Sequence, residues 1–322
     1  MDEKILRILR AHTDRFISAQ EICRKTSLSM PTVARHIYKL CDEGYDIQAQ
    51  PHWGYKLVGL PDRLLACEIM WQLNTKIIGR KILSYDTVDS TNSVAFSLAE
   101  RGASCATAVF AEAQSKGRGR LGRSWVSPKS KGIYLSLVLR PQIGSDKATL
   151  ITLLAAVSCC EAIRRVCGLR AQIKWPNDIL VNNKKVCGIL TEIETQDSKI
   201  KFIILGIGIN VNTPIAKLPP GASSLREEVG KRKAWFSRLE LARELLRRLD
   251  REYLSFEHKG SAGIITQWKN LSALSGKRVK VSFAHRTIEG QAQDIDEHGA
   301  LIVRLDNGLK QHVLAGDVVK VR

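Results

Sequence analysis

The chain has 322 residues, too many for one small module and enough for two or three domains with sizeable cores. Hydrophobic residues make up 44% and charged residues 25%, near globular averages, which argues against wholesale disorder and a collagen-like fibre. No apolar run approaches the roughly 20 residues that a membrane-spanning helix needs. The N-terminus lacks the basic start and apolar middle of a signal peptide, so we expect a cytoplasmic protein with no membrane partner.

The net charge is +18, and residues 61–275 hold most of it, with 33 Lys or Arg against 19 Asp or Glu. Residues 1–60 and 276–322 each carry only +2. A basic middle region suits an anionic ligand, an acidic protein partner or nucleic acid, and composition does not separate these three. The eight cysteines form no C-x-x-C pair and no zinc spacing, so we expect buried free thiols.

Residues 1–60 carry the pattern of a winged helix-turn-helix domain. Two short helices are predicted before Pro31, which opens a third helix running to Leu40, and a two-stranded wing follows around 51–54. One face of the third helix is apolar, as expected for packing. Its opposite face presents the candidate DNA-contacting residues Thr32, Arg35, His36 and Lys39. The alternative is a small protein-interaction module whose polar face is merely solvated.

Strands and helices alternate across residues 61–275, which predicts a central mixed-sheet α/β domain. The predicted strands are 82–85, 107–113, 133–139, 171–174 and 202–209, with a hairpin turned at 182–183. The predicted helices are 62–73, 93–100, 147–166, 235–257 and 263–269. Residues 210–233 hold paired prolines, small residues and charge, and we expect them to form a mobile loop.

Residues 276–322 hold short strands separated by turn signals, which predicts a small SH3-like β-barrel. Asn307-Gly308 is a strong hairpin turn because it supplies both positive φ angles of a type I′ turn. The strands predicted here are 279–283, 287–295, 301–305 and 309–313.

The most informative segment is the glycine-rich loop from Gln114 to Trp125. It satisfies G-x-G-x-x-G, but no helix follows and no acid stands about 20 residues later, so a dinucleotide site is rejected. A phosphate-loop motif is rejected because an arginine replaces its lysine and again no helix begins. Among the flexible glycines stand four cations, Lys116, Arg118, Arg120 and Arg123. They repel one another and bind carboxylate or phosphate oxygens, which predicts an anion site that is mobile when empty. The alternative is an Arg-Gly surface loop that touches RNA or nothing.

Four further motifs accompany the loop: Asp89-Ser90-Thr91-Asn92, Lys174-Trp175-Pro176-Asn177-Asp178, Lys185-Val186-Cys187-Gly188-Ile189-Leu190 and Gly206-Ile207-Gly208-Ile209-Asn210. Together with the loop they resemble the family of bifunctional biotin protein ligases and biotin operon repressors. The resemblance covers essentially the whole chain, in the order winged helix, central domain and C-terminal barrel. Two departures stand out, since many relatives carry a basic residue in place of Leu121 and a lysine in the wing.

The resemblance implies an ATP-dependent, AMP-forming reaction in two steps. Biotin and ATP form biotinyl-5′-adenylate, and the biotinyl group then passes to a lysine of a biotin-carrier domain. The implied catalytic residues are Arg118, Arg120 and Lys185, because two anions must meet and positive charge is the main need. Mg²⁺ should accompany the triphosphate, with Asp178 as its candidate ligand.

The resemblance also implies two overlapping sets of binding residues. The set for biotin is Ser90, Thr91, Asn92, Gln114, Gly117, Arg118, Gly119, Arg120, Trp125, Lys185 and Gly188. The set for ATP or the adenylate is Arg118, Arg120, Arg123, Lys174, Asn177, Asp178, Lys185, Gly208 and Asn210. The ureido ring of biotin has donors and acceptors that a buried site must satisfy, and Trp125 would wall the ring and tail.

Several of these residues have a plain structural alternative. Residues 90–92 suit the N-cap of the following helix. Lys185 suits a surface lysine after a turn, and Trp125 and Trp175 suit the core as well as a ligand wall. Gly206 and Gly208 suit a close approach of the backbone to a neighbouring strand or to the nucleotide.

Two rival functions stay open. A lipoate-protein ligase shares the catalytic fold, but its glycine-rich signature with a following histidine and aspartate is absent here. A biotin-sensing transcription regulator with weak ligase activity is the other, and the retained cations argue against it. The implied partners are a biotin-carrier domain of a biotin-dependent carboxylase, operator DNA, and a second copy of the chain when the adenylate is bound.

Overall fold

The computed structural model describes residues 2–197, 199–230, 235–283 and 286–321. The chain divides into two compact units, Met1–Arg63 and Leu64–Arg322. Within the described ranges, no helix is both long enough and apolar enough to cross a bilayer.

The first unit consists of helices followed by a hairpin. Its elements are α1 Asp2–Arg10, α2 Ala19–Thr26, α3 Met30–Asp42, β1 Asp46–Gln50 and β2 Gly54–Gly59. α2 begins where the Ser18 hydroxyl accepts a hydrogen bond from the Glu21 N–H at 3.1 Å. The apolar helix faces close a core around Ile5, Val33 and Leu40. The predicted helix-turn-helix domain is confirmed.

The second unit contains a mixed sheet. Its strands are β3 Lys81–Val88, β4 Thr107–Gln114, β5 Gly132–Leu139, β6 Gln172–Lys174, β7 Asp178–Val181, β8 Lys184–Gln196 and β9 Lys199–Asn210. They lie in the order β3-β4-β5-β9-β8-β7-β6, with β3 and β4 parallel and the other neighbours antiparallel. The predicted mixed α/β architecture is confirmed.

Helices cover both faces of this sheet. They are α4 Ala66–Met70, α5 Thr91–Glu100, α6 Thr149–Cys167, α7 Leu225–Val229, α8 Arg238–Lys259 and α9 Ala262–Leu271. Successive residues of a strand point to opposite faces. In β9, Phe202 and Ile204 pack with Ala95 of α5, whereas Ile203 and Leu205 belong to the larger cluster that contains the buried residues of α6. The start of α5 therefore lies beside the end of β4 and beside the middle of β8 and β9.

The C-terminal part is an antiparallel sheet in the order β13-β12-β11-β10-β14. Its strands are β10 Arg278–Phe283, β11 Arg286–Ile295, β12 Leu301–Arg304, β13 Lys310–Val313 and β14 Asp317–Val321. The hairpin predicted at Asn307-Gly308 joins β12 and β13, but the type I′ turn is wrong, because only Gly308 has a positive φ, +85°, and Asn307 does not. The prediction of a small β domain is confirmed, but it omitted β14.

The helix predicted at 62–73 is wrong over most of its length, because only Ala66–Met70 is helical. The Leu64 N–H donates to the buried Glu112 carboxylate at 2.6 Å instead of entering a helix. Beyond α4, the Arg247 guanidinium donates to two successive backbone carbonyls. Side chains from distant elements therefore satisfy backbone groups that a longer helix would have paired.

The cysteines and the loop after β9 also differ from expectation. The cysteines buried in the core are Cys159, Cys160 and Cys187. The exposed cysteines, for which the expectation of burial is wrong, are Cys41, Cys67 and Cys105. Of the predicted mobile loop 210–233, the described part contains α7, and residues 231–233 lie outside the described residues.

Candidate active site

A cavity of about 420 Å³ lies where the start of α5, the glycine-rich loop, β8 and β9 meet. Every residue predicted to bind biotin or the nucleotide lines it, except Gly117. The Gly117 carbonyl instead accepts the Trp125 N–H at 2.8 Å, and a Cβ at Gly117 would lie 2.4 Å from the Trp125 carbonyl oxygen. Gly117 therefore shapes the loop from outside the cavity.

Hydrogen bonds fix the polar side chains of this cavity. The Thr91 N–H and hydroxyl donate to Gln114 Oε1 at 2.8 and 3.1 Å, and Gln114 Nε2 donates to Ser127 Oγ at 2.8 Å. The Ser136 hydroxyl lies 2.8 Å from Thr91 Oγ1 and 2.6 Å from Asn92 Oδ1. Polar atoms of residues far apart in sequence are thus held in place before any ligand arrives.

Ser90 occupies the N-cap of α5, but its side chain makes no capping hydrogen bond. Gln114 accepts the first N–H of the helix, that of Thr91, in its place. The N-cap position and contact with a ligand are therefore compatible roles for Ser90, because another side chain serves the helix terminus.

Glycines of β8 and β9 admit side chains into the cavity. Gly188 and Gly208 stand opposite each other, and a Cβ would lie 2.9 Å from the Trp125 ring at Gly188 and 2.6 Å at Gly208. A Cβ at Gly206 would lie 2.1 Å from the Asn92 amide oxygen. The close approach expected at Gly206 and Gly208 is therefore made by the side chains of Asn92 and Trp125, not by a neighbouring strand.

In the described structure, three of the four loop cations pair with carboxylates. Arg118 Nη2 lies 3.1 Å from Glu192 Oε2. Arg120 Nη1 lies 3.2 Å from Asp317 Oδ1, and Arg123 Nη2 lies 2.9 Å from Asp317 Oδ2. The expectation that these cations repel one another in the empty loop is therefore wrong, because β8 and β14 supply counter-charges.

Lys185 faces the cavity, which goes against the alternative of a plain surface lysine. Its Nζ lies 2.6 Å from Asp178 Oδ1 and 5.5 Å from the centroid of the Trp125 ring. Beside it, Asn177 accepts a hydrogen bond from Arg120 Nη1 at 2.9 Å and donates its amide to a β8 carbonyl at 2.8 Å. Asn177 thereby ties the glycine-rich loop to the sheet.

The remaining predicted residues line the cavity at strand ends. Lys174 ends β6, and Asn210 ends β9 with its amide donating to the Ser223 carbonyl at 3.0 Å. Trp175 is 1% exposed and its Nε1 donates to the Gly299 carbonyl at 3.0 Å, so its indole belongs to the core even though it touches the cavity.

Residues 218–222 close one side of the cavity. Two backbone hydrogen bonds pin this segment to β8, from the Lys185 N–H to Gly221 and from the Ser223 N–H to Lys185. Glu228 of α7 accepts the Ser223 hydroxyl at 2.5 Å and two donors from the β7–β8 turn. Burial alone would raise the pKa of Glu228, but these hydrogen bonds lower it below its ordinary value.

Sequence reasoning missed Glu192, Ser136 and Asp317. Ser136 and Glu192 carried a weak signal, since each is a polar residue within a strand pattern. Asp317 carried none, because β14 was not predicted. Each acts on a residue more than forty positions away in sequence.

On α3, the predicted DNA-contacting residues differ in their surroundings. Arg35 is exposed. His36 Nδ1 and Lys39 Nζ lie 2.5 and 2.6 Å from the two carboxylate oxygens of Asp2 in α1, and Thr32 bonds to a neighbouring serine. The hydrogen bond from Lys39 lowers the pKa of Asp2. An acid of the first helix thus neutralises part of the predicted DNA-binding face.

Comparison with known families matches the chain in the order of its parts. Residues 2–56 match the HTH domain, residues 84–210 match the biotin/lipoate A/B protein ligase family, and residues 274–321 match the biotin protein ligase C terminal domain.

Individual relatives extend this likeness over nearly the whole chain. The bifunctional ligase/repressor BirA of Bacillus subtilis is 34% identical over 300 residues, which cover 92% of this chain and 91% of that protein. The bifunctional ligase/repressor BirA of Escherichia coli is 29% identical over 306 residues, which cover 92% and 90%. The biotin protein ligase of Aquifex aeolicus, solved in complex with biotin and ATP, superposes with a TM-score of 0.64 at 29% identity, covering 76% of this chain and 99% of that one. The chain therefore belongs to the family of bifunctional biotin protein ligases and repressors, and the resemblance of its motifs is confirmed.

Proposed function

We propose that the protein attaches biotin to a carrier protein in two steps driven by ATP. The observation that carries this proposal is the meeting of Arg118, Arg120 and Lys185 at one cavity whose wall also holds fixed hydrogen-bonding side chains. Biotin has a carboxylate at one end and a ureido ring at the other, so a site with cations and fixed polar groups suits it.

In the first step, a carboxylate oxygen of biotin attacks the α-phosphorus of ATP and pyrophosphate leaves. Because two anions meet, cations at the reacting centre lower the barrier most. Arg118 and Arg120 would hold the carboxylate and phosphate oxygens, and Lys185 would hold the α-phosphate. Each of these cations is paired with a carboxylate of the protein, which the substrate anions would replace.

The polar residues would hold the biotin head group. Ser90, Thr91, Asn92 and Gln114 offer hydroxyl and amide groups that match the donors and acceptors of a ureido ring. Trp125, which packs against Gly188 and Gly208, would cover the ring and tail of biotin. Gly119 would let the loop backbone come close to the ligand, and Gly117 would act from outside the cavity by shaping the loop.

The nucleotide would lie along the strand ends, with Arg123, Lys174, Asn177, Gly208 and Asn210 as its neighbours. Mg²⁺ would neutralise the triphosphate charge. Among the residues that the structure describes, no three His, Cys, Asp or Glu side chains cluster as a metal site. The ion would therefore rest mainly on phosphate oxygens and water, with Asp178 supplying a carboxylate oxygen, as is common for Mg²⁺ bound with nucleotides.

In the second step, the ε-amine of a carrier lysine attacks the carbonyl of the adenylate and AMP leaves. The chain needs no nucleophile of its own for this transfer, because the mixed anhydride is already activated. Its task is to hold the adenylate away from water until the amine arrives.

The test is to incubate the full chain with biotin, ATP and Mg²⁺, and then with a biotin-carrier domain. We expect native mass spectrometry to show a retained biotinyl-adenylate and then a carrier heavier by one biotinyl group. A protein that forms no adenylate would overturn the proposal, and adenylate without transfer would favour a biotin-sensing regulator. The same reaction with lipoate tests the lipoate-ligase alternative.

We further propose that the first unit binds an operator before biotin genes, with the adenylate as corepressor. Its support is a helix-turn-helix whose third helix exposes Arg35. A single unit with little net charge should bind weakly, whereas a homodimer reading two half-sites gains effective concentration without new contacts. By linkage, any ligand that favours the dimer on DNA is held more tightly there by the same factor.

This second role is tested by gel-shift titration of the candidate palindrome with and without biotin plus ATP. We expect tighter binding when the adenylate forms. Equal affinity in both conditions would leave a stand-alone ligase.

A further inference from the structure

Glu192 lies between two parts of the candidate site that the proposed function assigns to different substrates. It lies on β8 four residues beyond Gly188, on the face of the strand that lines the cavity. Its Oε2 accepts a hydrogen bond from Asn92 Nδ2 at 2.5 Å and one from Arg118 Nη2 at 3.1 Å. One oxygen atom thus fixes a proposed biotin ligand and a proposed catalytic cation.

The amide of Asn92 has little freedom to move independently of Glu192. Its Nδ2 donates to Glu192 while its Oδ1 accepts from Ser136, and Gly206 leaves just enough room for it. A ligand that rotates or displaces this amide must therefore change the bond to Glu192. Because the same carboxylate oxygen holds Arg118, the change reaches the glycine-rich loop.

Glu192 belongs to a continuous path of hydrogen bonds that begins and ends at the glycine-rich loop. From Ser127, just after Trp125, hydrogen bonds run through Gln114 and Thr91 to Ser136 and Asn92, and from there through Glu192 to Arg118. Glu192 is the charged member of this path between the biotin residues and Arg118. The Arg118 side chain is 45% exposed, so its ion pair is weak enough to exchange for a substrate anion.

We propose that Glu192 is a positioning residue that couples occupancy of the biotin head-group site at Asn92 to the placement of Arg118 for the nucleotide. The inference rests on the proposed function, because it takes Asn92 and Arg118 as ligands of biotin and ATP. By reciprocity, nucleotide at Arg118 strengthens biotin binding by the same factor as biotin strengthens nucleotide binding.

The test measures this coupling in the full chain by calorimetry. Biotin is titrated with and without α,β-methylene-ATP, which cannot release pyrophosphate, so the adenylate does not form. In the wild type we expect biotin to bind about fivefold more tightly when the analogue is present, the lower end of typical coupling between sites. In Glu192→Gln, which keeps size but loses charge, we expect this ratio to fall to about one while the melting temperature stays unchanged.

Glu194→Gln is the matched control, because Glu194 lies on the same face of the same strand and its substitution removes the same charge. It should keep the wild-type ratio. If Glu192→Gln does not fold, Glu192→Asp carries the same comparison, because it shortens the reach of the carboxylate. A wild-type ratio of one, or the wild-type ratio retained in the Glu192 variant, would overturn the inference alone. A wild type that binds no biotin would overturn the proposed function and the inference with it.

Discussion

Asp317 of β14 forms an ion pair with Arg120 of the glycine-rich loop, with 3.2 Å between Oδ1 and Nη1. Its other oxygen lies 2.9 Å from Arg123 Nη2, and the neighbouring Gly316 carbonyl accepts a hydrogen bond from Arg120. The C-terminal domain therefore sets the positions of two cations that we assign to the nucleotide. The C-terminal domain thus contributes directly to the candidate site, through Asp317 and Gly316.

We expect Asp317→Asn to lower kcat/KM for ATP in adenylate formation by about tenfold, because a charge-assisted hydrogen bond that orients an arginine contributes roughly 1.5–3 kcal/mol. Assays of pyrophosphate release at a series of ATP concentrations measure this kcat/KM. Asp306→Asn removes the same charge from the exposed Arg278–Asp306 pair of the same domain and should leave the rate unchanged. Equal rates in the two variants would show that β14 does not position Arg120.

Arg118→Ala and Lys185→Ala should each slow adenylate formation by about 100-fold, since losing one donor to a developing anion typically removes ~3 kcal/mol of transition-state stabilisation. Both side chains are partly exposed, so the melting temperature without ligand should barely change. Lys129→Ala removes a cation from an exposed surface pair and should react at the wild-type rate. Wild-type single-turnover rates in both site variants would remove these residues from the mechanism.

Gly208→Ala should weaken biotin binding strongly, because the added Cβ would lie 2.6 Å from the Trp125 indole and displace the ring from its position against β9. Calorimetry measures the biotin affinity, and tryptophan fluorescence reports the displacement of the Trp125 ring. The control is Gly263→Ala in α9, where a Cβ meets nothing within 4 Å and alanine favours the helix. If Gly208→Ala binds biotin as the wild type does, Trp125 does not cover the ligand.

The sequence predicted most strands and helices because their hydrophobic periodicity is local. β5 and β9, for example, are buried over most of their lengths and stand out as apolar runs. The prediction omitted β14 although three of its five residues are valine, a residue that favours strands; its pairing with β10 is a long-range contact that local periodicity does not show. The helix expected at 62–73 fails for a related reason, since Glu112 takes the Leu64 N–H across the fold.

The glycine-rich loop and its companion motifs predicted the cavity-lining residues, because glycines, cations and tryptophans at these spacings are recognisable in the sequence. The partners of those residues could not be read in the same way. Glu192 and Asp317 are ordinary acids in the sequence, and only the sheet register and the docking of β14 put them beside Arg118 and Arg120. Counter-charges within a site depend on tertiary placement, which local patterns do not encode.

Glu228 should make the segment 218–222 sensitive to acid. Its pKa in the folded chain lies below the ordinary value of 4.5, so its contribution to stability is complete above that pH and is lost as the pH falls through the folded pKa. At pH 7, Glu228→Gln should lower the melting temperature by about 3 °C. The difference from the wild type should shrink steadily below pH 4.5. Glu227→Gln, exposed on the same helix, should show neither effect, and a pH-independent difference would contradict the role given to the carboxylate.

Asp2 should restrain DNA binding by the first unit, because it occupies His36 and Lys39 on the predicted DNA-binding face. DNA phosphates must displace this carboxylate before they can use the two side chains. We therefore expect Asp2→Asn to tighten operator binding by about threefold, the scale of a surface ion pair. Arg35→Ala should weaken operator binding, and the slope of log affinity against log salt concentration should become shallower by about one. Gel-shift titrations at several salt concentrations measure both. Glu3→Gln is the matched control, since it removes the same charge from the same turn of α1 but pairs with Arg7. If Asp2→Asn and Glu3→Gln change affinity equally, the effect is one of net charge and Asp2 does not compete with DNA for α3.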